Sequence, residues 1–168
     1  MQFSMEERTL VVRAANDAEE RTTRYYCIPP FRWQQFRYDL LTCQDSEWEP
    51  LPDPVLARVQ HIHKVSPRPF NSFDFYRIQL NDPSILGAVQ RENLSKDFYN
   101  FLVYILTHEM VHVVRLSSIL DCDRAALRLL ETEEQRVQQI SRQILSDPGY
   151  RIFEPILDKF CLANPVTG

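Results

Sequence analysis

A chain of 168 residues can bury one sizeable hydrophobic core but is short for two ordinary domains, so residues 1–168 read as a single domain. With 44% hydrophobic residues, 25% charged residues and a net charge of −4, the composition is that of a globular protein. It argues against a nucleic-acid partner, and no apolar run is long enough to span a membrane. The acidic N-terminus MQFSMEERTL has no apolar signal core, and Cys27, Cys43, Cys122 and Cys161 form no CxxC pair, so free thiols in the cytoplasm are expected.

In chain order, Thr9 to Ala14 and Thr22 to Ile28 are β-branched and aromatic, and predict two strands paired around Asn16-Asp17. Pro29-Pro30 ends that unit. Phe31 to Leu41 reads as a helix with Phe36, Leu40 and Leu41 apolar. Its FRWQQFRY pattern of aromatic and basic residues has the composition of a nucleic-acid contact, but fits the basic face of an amphipathic helix better. Gln44 to Pro52 is a polar loop. Asp53 as N-cap and Pro54 in the first turn then predict a helix carrying Val55, Val59 and Ile62. On that helix His61 and His63 point about 200° apart and cannot share a metal, whereas on a strand they would share a face; they read as solvated or core-edge residues. A proline-containing loop over Val65 to Ser72 precedes Phe75 to Leu80. There the alternation of Tyr76, Ile78 and Leu80 predicts a strand, and Asn81-Asp82-Pro83 opens a short helix.

Ser95 is positioned to cap a longer helix, whose apolar run starts at Phe98. Within it lies His108-Glu109-Met110-Val111-His112, an instance of HExxH. Positions i and i+4 of a helix lie one above the other, so two imidazoles can face one zinc ion while the intervening Glu acts on an activated water. A shuffled chain with four His and twelve Glu shows this pattern with a frequency of roughly 0.7%. The flanks Ile105, Leu106, Val113 and Val114 are apolar, as a buried helix requires. The competing explanation is a core helix with two incidental histidines. Glu109-x-x-His112 also reads as the ExxH of a carboxylate-bridged di-iron bundle, but that site needs a second such motif, which this chain lacks.

Catalytic zinc usually takes three protein ligands and leaves one position open. Arg115 and Ser118 stand where an extended HExxHxxGxxH motif has Gly and a third His, which excludes that class. The remaining candidates are Glu131, Glu133 and Glu134, on a predicted helix that Asp121 or Asp123 would cap. Either Asp could also accept a hydrogen bond from a ligand His. Ala126, Leu130, Val137, Ile140 and Ile144 form that helix's apolar stripe. Glu133 falls inside the stripe, Glu134 at its edge and Glu131 toward solvent. A carboxylate in an apolar stripe needs a partner, so Glu133 is the expected third ligand and Glu134 the second choice, the alternative for Glu133 being an edge carboxylate that reaches water or an Arg. Asp147-Pro148-Gly149 breaks the chain before a last helix ending near Leu162. With only three glycines the chain encodes few tight turns, which predicts a mainly helical α+β fold with a small sheet.

HEMVH followed about twenty residues later by a Glu on a second helix resembles the gluzincin metallopeptidases, the thermolysin-like clan, over residues 95–145. The resemblance implies a small, mostly antiparallel sheet packed on a zincin-like pair of helices. It implies Zn2+ held by His108, His112 and Glu133 or its neighbour, with Glu109 as general base and a peptide or protein as substrate. By the same resemblance the strand upstream of the HExxH helix would be an edge strand that pairs with extended substrate, the alternative being an ordinary core strand. Tyr104 and Tyr150 are the candidates to support an oxyanion. The chain departs from the family in lacking the small-residue pattern after the ligand Glu. Two function classes stand: a small zinc metallopeptidase or related zinc hydrolase, and a catalytically silent zincin-like domain that binds metal or peptide in a structural or regulatory role.

Overall fold

The computed structural model describes residues 1–34, 36–62, 74–117, 130–146 and 151–160, and of residues 74 and 130–132 only the backbone. His63, the loop over 65–72, Asp121, Asp123, the break at 147–149, Tyr150, Cys122 and Cys161 lie outside the described residues.

Helix α1, Met5–Tyr25, stands where two strands were expected over Thr9 to Ala14 and Thr22 to Ile28. Ser4 and Glu7 close a capping box: Ser4 Oγ accepts from Glu7 N at 3.2 Å, and Ser4 N donates to Glu7 Oε2 at 2.7 Å. Val11, Ala14, Ala15, Ala18 and Thr22 recur at helical spacing and form the buried face. Ion pairs one turn apart, Arg21–Asp17 and Arg24–Glu20, line its solvent side. The cap and the alanine-rich face outweigh the β-branched residues that suggested strands.

The helix expected from Phe31 to Leu41 is also corrected. Helix α2, Pro30–Trp33, is a single turn, and Phe36–Leu41 is strand β1. Strand β2, Ala57–Ile62, replaces the helix expected after Asp53-Pro54. Asp53 does not cap its own segment: its Oδ1 accepts from Ser84 Oγ at 3.0 Å. Strand β3, Asp74–Leu80, matches the predicted alternation, with Tyr76, Ile78 and Leu80 fully buried.

The sheet order is β1-β3-β2, with β1 parallel and β2 antiparallel to β3, so the sheet is mixed rather than mostly antiparallel. β3 is central, both its edges are paired, and it cannot serve as the substrate-pairing edge strand. Among the described residues, the outer edge of β2 has no strand partner. The cross-strand neighbours His61 and Tyr76 stack with ring centroids 4.9 Å apart. Asp39 and Arg77, also opposite one another, form an ion pair at 3.2 Å.

Helix α3, Asp82–Arg91, follows β3 directly. Buried Asp82 accepts from Phe3 N at 3.0 Å and from Cys43 N at 3.3 Å, tying the chain start and the loop after β1 to this corner. A 3-10 turn, Ser95–Asp97, leads into helix α4, Phe98–Leu116. The N-cap position is therefore Asp97 rather than Ser95, with no side-chain capping bond. α4 is apolar on nearly every side because it is enclosed: α1, α5, α6 and β2 all pack on it. Helix α5, Leu130–Leu145, lays Val137 and Ile140 against Val111 of α4. A 3-10 turn, Arg151–Phe153, precedes helix α6, Glu154–Phe160. The molecule is thus α+β and mainly helical around one small sheet. None of the helices described is long and apolar enough to cross a membrane. Cys27 and Cys43 are free thiols.

Candidate metal centre

The helical spacing of α4 does what HExxH requires. His108 and His112 lie one turn apart, their rings edge to face with centroids 5.0 Å apart, on the side of α4 that faces α5. Glu134 comes from the first turns of α5. Its Oε1 lies 2.8 Å from His108 Nε2 and its Oε2 lies 3.2 Å from His112 Nε2. The three side chains offer ligand atoms all within 4.8 Å of one another.

The placement of the acidic candidates differs from the expectation at one point. Glu133 does lie in the buried stripe, with its side chain 13% exposed against 41% for Glu134. Its partner is a guanidinium: Arg115 Nε donates to Glu133 Oε1 at 2.5 Å and Arg115 Nη2 to Oε2 at 2.9 Å. Glu134, the second choice, is the residue brought to the imidazoles. The side chain of Glu131 is outside the described set. Periodicity found the buried carboxylate; it did not identify what neutralises it. Arg115 was the missed residue, and a signal existed. Positions 108, 112 and 115 are i, i+4 and i+7 and share one face, so the Arg115 cation stands on the side of α4 that meets α5.

Electrostatics bind the cluster together. Burial pushes the Glu109 carboxyl above its ordinary value, only partly opposed by the neighbouring His108 and His112. Burial works against a charged His112, but the hydrogen bond to Glu134 and the charges of Glu109, Glu134 and Glu133 outweigh it and raise its pKa. Burial would raise Glu134 too, yet its hydrogen bonds to both imidazoles hold it well below the usual carboxylate range. His108 Nδ1 is buried without a hydrogen-bond partner among the described residues.

The donor set suits zinc: two imidazole nitrogens and one carboxylate oxygen converge, and they line an open cleft. Two imidazole Nε2 atoms aimed at a single carboxylate leave a centre that a divalent cation fits by charge and by ligand type. The cleft has a volume of about 640 Å3. Its apolar walls include Val55, Val59, Ile105 and Leu116, and the run from Pro54 to Val59 forms one continuous side. Tyr104, one turn before His108, lines it as well, with its ring 6.4 Å from the His108 ring. No family model matches the chain, and neither does any curated protein or solved structure.

Proposed function

We propose that this protein is a zinc-dependent hydrolase acting on peptide bonds, with His108, His112 and Glu134 as metal ligands and Glu109 as general base. One observation carries the reading: the Nε2 atoms of both HExxH histidines converge on Glu134 of a second helix, with buried Glu109 between them, at the wall of an open cleft. The resemblance of HEMVH plus a downstream Glu to gluzincins supports the peptide as substrate.

When bound, Zn2+ supplies Lewis acidity: it makes water a better nucleophile and polarises a carbonyl. Glu109 accepts a proton from water as the water oxygen bonds to the scissile carbonyl carbon. The same carboxyl then passes that proton to the amide nitrogen as the C–N bond breaks, which leaves one carboxylic acid and one amine product. Its raised pKa suits both halves of this cycle, because the carboxyl must hold a proton between them. His108, His112 and Glu134 keep their donor atoms in place from two packed helices, so little reorganisation is needed. The segment Pro54–Val59 lines the cleft and runs into β2, whose outer edge has no strand partner among the described residues, so an extended peptide can be taken there as an added strand.

The direct test is the metal content of protein purified without added metal, beside His112→Ala. About one zinc per chain, lost in the variant, is the expected result. No metal in either protein, and no uptake on titration with zinc, would overturn the proposal.

A further inference from the structure

The cleft carries two cations that the chemistry above does not use. Arg58 enters from β2 and Arg91 from the last residue of α3, and both line the same cleft as the metal centre. Among the described residues, the carboxylates lining the cleft are Glu109 and Glu134, and both are already committed to that centre. Arg58 has one acidic neighbour, Glu49, at 3.4 Å, and Glu49 is 71% exposed; a contact of that kind holds a guanidinium weakly. Arg58 Nε is buried with no hydrogen-bond partner among the described residues. Arg91 has no carboxylate partner among the described residues. Its Nη1 folds back to 3.3 Å from where a Cβ on Gly87 would stand, so the missing side chain at Gly87 gives the guanidinium its room.

The chain as a whole carries a net charge of −4, yet among the described residues, beyond the metal ligands and Glu109, the charged groups of this cleft are positive. A guanidinium is weakly hydrated and presents a planar fork of donors that matches a carboxylate. Two of them on the walls of an apolar cleft form a recognition element for an anionic group on a largely apolar ligand. Desolvation strengthens such contacts and a positive field steers the ligand in.

We infer that Arg58 and Arg91 form a carboxylate-binding subsite, so that the peptide taken by this cleft carries an acidic side chain or a free C-terminal carboxylate beside apolar residues. The inference deepens the hydrolase reading, on which it rests for the substrate being a peptide.

The test uses the zinc-loaded full chain carrying Glu109→Gln, so that nothing is cleaved during the measurement, and three probes of one length. They are acetyl-Leu-Phe-Glu-Leu-amide, its neutral Gln counterpart as the amide, and that Gln peptide with a free C-terminus. Calorimetric affinity is expected to be at least about tenfold higher for one of the two carboxylate peptides than for the neutral one, and to fall with added salt. Preference for the Glu peptide identifies a side-chain subsite; preference for the free C-terminus identifies a terminal one. Arg58→Gln and Arg91→Gln should each reduce the preference, with partial recovery in Arg58→Lys and Arg91→Lys, which keep the charge but lose the fork. Thermal melts separate loss of fold from loss of recognition. Equal affinity for all three probes, no binding of any, or an unchanged preference in both Gln variants would overturn the subsite. Failure of the hydrolase reading looks different: the preference is present but the wild-type chain cleaves none of the probes.

Discussion

Arg115 and Glu133 form a two-pronged ion pair between α4 and α5, and it decides which of two adjacent glutamates reaches the imidazoles. Neighbouring residues on a helix point about 100° apart. With Glu133 turned onto Arg115 by hydrogen bonds of 2.5 and 2.9 Å, Glu134 is turned toward His108 and His112. Both members are largely buried, at 16% and 13% side-chain exposure. The pair is thus a register lock between the two helices that build the candidate centre.

Removing one half of this lock should cost more than removing both. Arg115→Met strands the Glu133 carboxylate, and breaking a buried pair this way destabilises by about 3–5 kcal/mol. Partial exposure here places the expectation at the low end. The double variant Arg115→Met/Glu133→Leu should recover much of that stability and yet bind zinc more weakly than wild type, because the lock on α5 is gone. Denaturant melts of the metal-free proteins and zinc titrations measure the two effects separately. A double variant no more stable than Arg115→Met would show that the pair is not what Glu133 needs.

The roles of the two glutamates separate in the same assay. Glu134→Ala should lower zinc affinity by about 10- to 100-fold or more at a modest cost to the metal-free fold: its bonds to the two imidazoles are lost, but Glu134 is the more exposed and α5 keeps its Val137 and Ile140 contacts. Glu133→Ala should do the reverse: a lower melting temperature and a smaller loss of affinity. The opposite ranking would mean that the phase of α5 differs from the one seen.

How far the sequence leads here depends on the range of the interaction that decides each element. HEMVH is local: spacing along one helix places both imidazoles and Glu109, and the strand at Tyr76, Ile78 and Leu80 follows from simple alternation. The segments misread are those decided at a distance. Phe36 to Leu41 and Ala57 to Ile62 become strands because β3 supplies ladders on both sides, and Asp53 is drawn from a capping role by Ser84, 31 positions away. α1 is different, because its capping box at Ser4 and Glu7 is written in the sequence and outweighs the β-branched residues that suggested strands. Glu133 shows the limit of periodicity: it reports that a carboxylate is buried and leaves the identity of its partner to tertiary packing. Arg58 and Arg91 carry no sequence signal at all, since only the fold brings β2 and the end of α3 to one cleft.

Glu109→Gln isolates chemistry from binding. The amide keeps the size of the side chain and removes its basicity, so zinc affinity should change little. Turnover of a cleavable peptide should fall by about 10^2- to 10^4-fold, the usual weight of a positioned general base. Measuring kcat and KM together separates this from a binding defect, since KM should stay near the wild-type value. Turnover at the wild-type rate would remove Glu109 from the base role even with the metal in place.

Acidity should act in opposite directions on the metal-free and zinc-loaded protein. In the metal-free protein His112 has a pKa raised above its ordinary 6.5, so the stability it contributes is complete below that value and is lost as pH rises through the folded value. Glu109, raised above its ordinary 4.5, also loses stability on ionising as pH rises. Glu134 is depressed, so its contribution is present above its ordinary 4.5 and lost only as pH falls through its lowered value. Between about pH 5.5 and 8 the metal-free centre is therefore more stable at the acidic end. Zinc reverses this, because protons compete with the metal for the His112 ring, and its raised pKa strengthens the competition. The melting temperature with zinc minus that with chelator should thus be small near pH 5.5 and grow steadily toward pH 8. His112→Ala should flatten the trend, because it removes both the titrating ring and a ligand. A difference that is constant across this range, or that grows toward acid, would show that the two imidazoles do not hold the metal.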